Sequence, residues 1–306
     1  STLRPVPPQL EAGRFSVEIY FLRGFSVSDD GFHVTHWAGL DLEGPHVMGI
    51  LNVTPDSFSD GGKFDHIDAA LAQARRMVAQ GASIIDVGGE STRPGATEVS
   101  IEDEIARVRP VIEALSNEGI LVSIDTRKPK VMEAAAAAGA GIINDVTGLT
   151  GDPASMATAL DLNLAVCVMH MQGEPQTMQA APSYDDAPAE VFEFLAGQAE
   201  ALMDGGMVPD NICLDPGIGF GKNLDHNLQI MARLDELVDA GWPVLLGASR
   251  KSFISKLTGA EVDQRLGGSL AAVMAGFGAG VSIFRVHDVA ETVQALAVAD
   301  AISHAL

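Results

Sequence analysis

Short apolar runs recur along this chain at intervals that leave room for a helix between nearly every pair, and each run stops at a polar or charged residue. The runs cover 46–51, 83–87, 121–124, 141–143, 164–169, 212–214, 244–247 and 281–284. They stop at Asn52, Asp86, Asp125, Asn144, His170, Asp215, the Ser249-Arg250-Lys251 triplet, and Arg285 with His287. Helical signals fill the gaps: a stretch over 65–80 closed by Gly81, a capping pair Ser100 and Asp103, and Lys128-Pro129 ahead of an alanine-rich stretch closed by Gly139 and Gly141. Asp152-Pro153 sits as N-cap and first residue of a short helix, and further helices are predicted over 188–207, 266–278 and from Val289 onward. Parallel strands need crossover helices, and strands covered on both faces read as unbroken Val/Ile/Leu runs. Eight such units predict a closed α/β barrel of (β/α)₈ type, the TIM barrel, in which catalytic groups sit at the carboxyl ends of the strands.

Length and charge narrow the picture. A barrel of this type takes roughly 250 residues, which assigns 46–306 to one catalytic domain and leaves 1–45 as an N-terminal extension. In the extension, 14–25 and 32–37 alternate apolar and polar positions about the turn Ser28-Asp29-Asp30-Gly31, which predicts a β-hairpin capping the barrel floor. With 19 basic against 41 acidic residues the net charge is −22, which repels nucleic acid and anionic membranes at long range, so an anionic substrate must be captured locally. Both cysteines, Cys167 and Cys213, lie inside apolar runs and read as small buried hydrophobes, which points to a reducing cytoplasm. No run of about 18 apolar residues and no leader pattern occurs, so neither a membrane span nor a signal peptide is indicated. The polar loop 171–186 is long for a compact domain, and loops of that kind are usually functional or mobile. Gly217, Gly219 and Gly221 lack the dinucleotide spacing, and Pro216 and Asn223 break the phosphate-loop pattern.

Four segments together resemble the bacterial dihydropteroate synthases: MGILNVTPDSFSDGG (48–62), DVGGESTRPGA (86–96), LDPGIGFGKN (214–223) and SRKSF (249–253). SIDTRKP, IINDV, VMHMQG and FRVHDV occupy the remaining strand ends in the same order, so the resemblance covers essentially everything after residue 45. It implies condensation of 6-hydroxymethyl-7,8-dihydropterin pyrophosphate with 4-aminobenzoate, giving dihydropteroate and pyrophosphate. That reaction needs a slot for a flat hydrogen-bonding ring, an anion clamp, stabilisation of positive charge at the pterin methylene, and a second-substrate site.

A pterin edge offers N–H donors beside acceptors, which a buried carboxylate with amide and ammonium neighbours matches. The resemblance assigns pterin recognition to Asp125, Asn144, Asp215 and Lys251, with Met169, Phe220 and Gly247 around the ring, and catalysis to Asp125, Lys251 and Arg285. A lone strand-end Asp serves as readily to cap the following helix, but polar groups at successive strand ends are costly to bury without a ligand. Arg285, His287, Thr92 and Arg93 suit the departing pyrophosphate, joined by Asn52 as the protein oxygen for a Mg²⁺ that keeps its waters. Neither Cys nor His shows zinc spacing. For 4-aminobenzoate the candidates are Phe58, Pro94, Thr92, Phe220, Lys251 and Ser249, with Asp56 closing the first loop and Glu90 and Arg250 as braces. A homodimer through the late barrel helices is the further expectation. A methyltetrahydrofolate methyltransferase with a corrinoid partner would share Asp125, Asn144 and Asp215 but needs no pyrophosphate clamp. A non-catalytic pterin binder would not need Asp125, Lys251 and Arg285 together.

Overall fold

The computed structural model describes residues 32–54, 63–91, 98–174 and 177–305. The chain divides into Ser1–Phe32 and His33–Leu306, and the strands and helices of the described residues lie in the second unit. Its strands are β1 (His36–Trp37), β2 (Leu40–Asp41), β3 (His46–Asn52), β4 (Ile84–Gly88), β5 (Val122–Asp125), β6 (Ile142–Asp145), β7 (Ala165–Met169), β8 (Ile212–Asp215), β9 (Leu245–Leu246) and β10 (Ile283–Val286). Its helices are α1 (Lys63–Ala79), α2 (Ile101–Asn117), α3 (Pro129–Ala137), α4 (Ser155–Leu162), α5 (Ala187–Asp204), α6 (Leu224–Ala232), α7 (Leu234–Val238), α8 (Ser252–Thr258), α9 (Leu266–Gly278) and α10 (Val289–Ser303).

Eight strands pair in the order β8-β7-β6-β5-β4-β3-β10-β9, every pair parallel. A bridge between Leu214 and Val244, with the Leu214 N–H donating to the Pro243 carbonyl at 2.9 Å, closes the ring between β8 and β9. The predicted (β/α)₈ barrel is therefore the observed fold. Strand tilt makes each hydrogen-bonded row climb the wall. One row runs Asn52, Gly88, Asp125, Asn144, Cys167, Cys213, and so passes from polar residues at the rim to apolar ones in the core. Below the rim Met48, Ile84, Ile142, Cys167, Cys213, Leu245 and Ile283 fill the interior. Both cysteines are free and buried, as their apolar surroundings predict.

An N-terminal hairpin is present and stops the floor. β1 and β2 pair antiparallel, with Ala38 and Gly39 at φ 51° and 79°, the positive-φ pair that a two-residue primed turn requires. This puts Trp37, wholly buried, into the same cluster as Met48 and Ile84. The Ala38 N–H donates to the Asp210 carbonyl and the Val34 N–H to the Gly241 carbonyl, at 3.2 and 2.9 Å, tying the hairpin to the loops below the barrel. This hairpin turns at Ala38-Gly39; the expected arm 14–25 and turn Ser28–Gly31 lie outside the described residues.

Helix starts show where local signals were overruled. The Ser100 cap forms, its hydroxyl accepting the Asp103 N–H at 3.1 Å. Asp152 does not begin a helix; its carboxylate accepts the Ala154 N–H at 2.8 Å in a turn, and α4 starts at Ser155. The segment before β9 is two helices, broken at Arg233, and the short α8 follows β9. Trp37→Ala should destabilise the unit by about 3–5 kcal/mol, the usual cost of deleting a buried large aromatic. Urea denaturation of the two forms measures it, and a loss under about 1 kcal/mol would mean the floor is not a packed core.

Candidate active site

Arg285 on β10 points into the barrel, where a permanent charge must be compensated. Its Nε donates to Asp86 Oδ2 and its Nη2 to Asp125 Oδ2, both at 2.6 Å. Asp86 Oδ2 also accepts from Asn144 Nδ2 at 3.2 Å. Four strands, β4, β5, β6 and β10, thus contribute to one bracket around a guanidinium. Asp86 is wholly buried and Asp125 nearly so, and the second oxygen of each carboxylate has no hydrogen-bond partner among the described residues. Burial pushes the Asp125 carboxyl up to about 7, with Arg285 opposing and the Asp86 charge adding to the rise. Burial works against the Arg285 charge as well, but the two carboxylates hold it above the usual guanidinium range.

Beside this bracket Asn144, Asp215, Lys251 and Arg285 line a single cavity with Val146, Met169, Gly217, Ile218, Phe220 and Gly247. The sequence scatters these residues over 142 positions; the barrel brings them to one rim. Asp215 Oδ1 accepts the Gly217 N–H at 2.7 Å. Burial raises its carboxyl, against the pull of that N–H and of the Lys251 charge. Burial lowers Lys251 to about 7, opposed by Asp215. The Lys251 ammonium lies 3.9 Å from the centroid of the Phe220 ring, a cation–π placement that fixes both on the cavity wall. A methyl group at Gly247 would come within 3.8 Å of Asp215 Oδ2, so a side chain there would extend into the cavity beside that oxygen.

The expected anion and second-substrate residues are partly grouped. Ser249 Oγ lies 3.2 Å from His287 Nδ1 and accepts the His287 N–H at 3.2 Å. The structure therefore sets Ser249 with His287 at the end of β10. Asn52 ends β3; a methyl at Gly88 would meet Asn52 Oδ1 at 3.6 Å and Asp125 Oδ2 at 3.7 Å, so amide and carboxylate flank the same glycine. Phe58, Thr92, Arg93 and Pro94, with Asp56, lie outside the described residues.

Arg250 and Glu90, expected as braces, each sit in a charged hydrogen-bond network. Arg250, at φ 57°, donates through Nε to Asp288 at 3.0 Å and through Nη2 to its other oxygen. Glu90 accepts from the Val99 N–H and from Lys128 Nζ, each at 2.7 Å. Lys128 also reaches Glu104 at 2.7 Å, itself wholly buried and accepting from Thr126 at 2.7 Å. Two groups escaped the sequence reading of roles. Asp86 registers there only as a run terminus; the signal was a charge inside the apolar stretch Ile84–Gly88. Lys222 entered only as a spacing argument against nucleotide binding, yet it is among the most buried side chains.

Comparison with known proteins agrees with this geometry. The model of the family described as pterin binding enzyme matches residues 48–287. The dihydropteroate synthase of Escherichia coli (strain K12) is 50% identical over 263 residues, covering 86% of this chain and 93% of that protein. Two solved structures superpose with TM-scores of 0.81: the Yersinia pestis dihydropteroate synthase with a sulfonamide drug complex, 47% identical, covering 87% of this chain and 96% of that one, and the Xanthomonas albilineans enzyme with 4-aminobenzoic acid, 48% identical, covering 86% and 95%.

The raised Asp125 carboxyl has a signed consequence for stability. An unfolded carboxylate ionises near 3.8 and the buried one near 7, so between these values the folded chain holds a proton the unfolded chain has lost. Its contribution is present in full below the lower value and is lost as pH rises through the upper one. In Asp125→Asn this part of the pH dependence of unfolding free energy should vanish between roughly pH 4 and 7. An unchanged slope would assign the proton to another group.

Proposed function

We infer the chemistry of the cavity from what the chain is: it belongs to the dihydropteroate synthases, within the family of pterin binding enzymes. It is a transferase that condenses 6-hydroxymethyl-7,8-dihydropterin pyrophosphate with 4-aminobenzoate, giving 7,8-dihydropteroate and pyrophosphate. The observation that carries this to the level of residues is the shared cavity of Asn144, Asp215, Lys251 and Arg285, with Asp125 bound to the last of them.

In our reading the pterin edge meets Asp215 and Asn144. The carboxylate accepts from the amidine-like N–H groups, and the amide, held in orientation by Asp86, pairs with the remaining edge. Met169 and Phe220 bound the ring faces, and the absence of a side chain at Gly247 leaves it room. Lys251 and Arg285 bring positive charge to a chain whose net charge is −22 and which otherwise repels a diphosphate. Arg285 is bracketed by carboxylates, so it is an oriented cation and not a free one. His287 with Ser249 shares the anion, together with Thr92 and Arg93 from the loop after β4.

The C–O bond then breaks with its electron pair passing to the diphosphate oxygen. The ring nitrogens delocalise the positive charge left on the methylene, and the Asp125 carboxylate stabilises it. The neutral arylamine nitrogen forms the new C–N bond and releases one proton. An arylamine is uncharged at neutral pH, so no strong general base is required. Phe58 and Pro94 would face the aminobenzoate ring. A Mg²⁺ ion fits the donor set present, in which Asn52 Oδ1 and the Asp125 carboxylate both border Gly88. Such a set suits a hard cation that is held mainly by waters and the substrate's phosphates. Bound there, Mg²⁺ would supply charge neutralisation to the leaving group.

No described helix is long and apolar enough to cross a membrane. Exposed Leu257, Val298 and Ile302 on α8 and α10 support our expectation of a homodimer through the late helices.

Pyrophosphate release that requires both substrates tests the reaction itself; methyl transfer without pyrophosphate release would overturn it. Asp125→Asn should lower kcat on the order of 100-fold while changing pterin affinity much less, because the charge acts on the transition state. Equal losses in both would remove that role. Sulfonamides should be competitive with 4-aminobenzoate, and inhibition that added 4-aminobenzoate leaves untouched would separate the two sites.

A further inference from the structure

Two buried ionisable side chains, Lys222 and His170, take no part in the reaction just described. Lys222 is 1% exposed, and its side chain curls back beneath its own loop. Its ammonium donates to the carbonyls of Gly217, Phe220 and His170 at 3.0, 2.9 and 3.1 Å, and lies 2.9 Å from His170 Nδ1. Three ammonium protons face four acceptors, so the group is saturated. The imidazole is the neutral partner: burial first, and the Lys222 charge second, push His170 down to about 3. Burial lowers Lys222 to about 7, against the pull of Asp215.

The backbones around this pair approach as closely as glycine allows. A Cβ at Gly217 would lie 2.0 Å from the His170 carbonyl oxygen, and one at Gly221 would lie 2.3 Å from the Gln172 oxygen. Two further carbonyls of the loop are held as well, Gly219 by Gln179 Nε2 at 2.5 Å and Gly221 by the Tyr184 hydroxyl at 2.8 Å. In the same loop the Gly217 N–H donates to Asp215 Oδ1 at 2.7 Å. Phe220 is held against Lys251 by the same loop.

We propose that Lys222 is a positioning residue for the pterin site: its ammonium, paired with neutral His170, clamps the loop after β8 to the end of β7 and so orients Asp215 and Phe220 toward the ring. The proposal rests on the pterin reading of the cavity. Burying an ammonium is unfavourable, and a methionine of similar length would avoid that cost. Only N–H donors, however, can gather three carbonyls and an imidazole nitrogen from two loops at one point.

The test compares wild type, Lys222→Met, His170→Leu and His170→Gln by calorimetry of pterin pyrophosphate binding, alongside thermal melting and steady-state turnover. Lys222→Met should raise the pterin dissociation constant about tenfold or more, while kcat at saturating substrates falls less than about threefold. His170→Leu should weaken binding in the same direction, and His170→Gln, which retains an acceptor, should restore most of it. Folded Lys222→Met with wild-type pterin affinity overturns the clamp. If that variant does not fold, equal affinity of His170→Leu, His170→Gln and wild type overturns it instead. Wild type that binds no pterin pyrophosphate would overturn the functional reading and the clamp with it; wild-type binding with unaffected variants would sink the clamp alone.

Discussion

Arg285 places a permanent positive charge inside a barrel whose lower half is apolar, and the arrangement of the rim follows from what that charge requires. A buried guanidinium is tolerated only with its donors engaged by acceptors of opposite charge. Asp86 and Asp125 supply them from adjacent strands, and Asp86 also orients the Asn144 amide through the same oxygen. Burial raises the Asp125 carboxyl against the pull of the Arg285 charge, and the Asp86 charge adds to the rise.

Three cations anchor described segments of the rim. Lys222 holds the loop after β8, Lys128 joins Glu90 to Glu104 at the base of the loop after β4, and Arg250 with Asp288 ties the segment after β9 to that after β10. Cations serve here because loop carbonyls and carboxylates are acceptors, and a small number of N–H donors can draw several of them to one point. Asp215 is an example, its Oδ1 accepting the Gly217 N–H of the loop that Lys222 holds.

Most of the barrel was legible because its signal is local. A buried parallel strand must be apolar on both faces, and the residue that ends it must return to polar surroundings, so run and terminus are both visible in the chain. Strand ends were misjudged by about one residue, since Asp125, Asn144, Asp215 and Arg285 still belong to the ladder and periodicity does not show where pairing stops. Asp152 misled because an Asp before Pro makes a turn as readily as a helix cap. Asp86 looked like a terminus and is a structural centre, because its importance depends on a guanidinium 199 positions away. Lys222 gave no sign at all: nothing in a polar, glycine-rich stretch says that its lysine faces inward.

By itself the sequence determined the alternation of strands and helices, the closed parallel barrel, the terminal residues from which the site is built, and the motifs that carry the family. These depend on periodicity and on residue type at short range, where each choice of polar or apolar side chain acts on its own neighbours. The tertiary structure alone decided which carboxylate holds which cation, that Ser249 joins His287, that the floor is closed by Trp37, and that Lys222 is buried. Those outcomes depend on strand tilt and register, which bring together side chains far apart in the chain. Their energies exist only once water has been excluded between them.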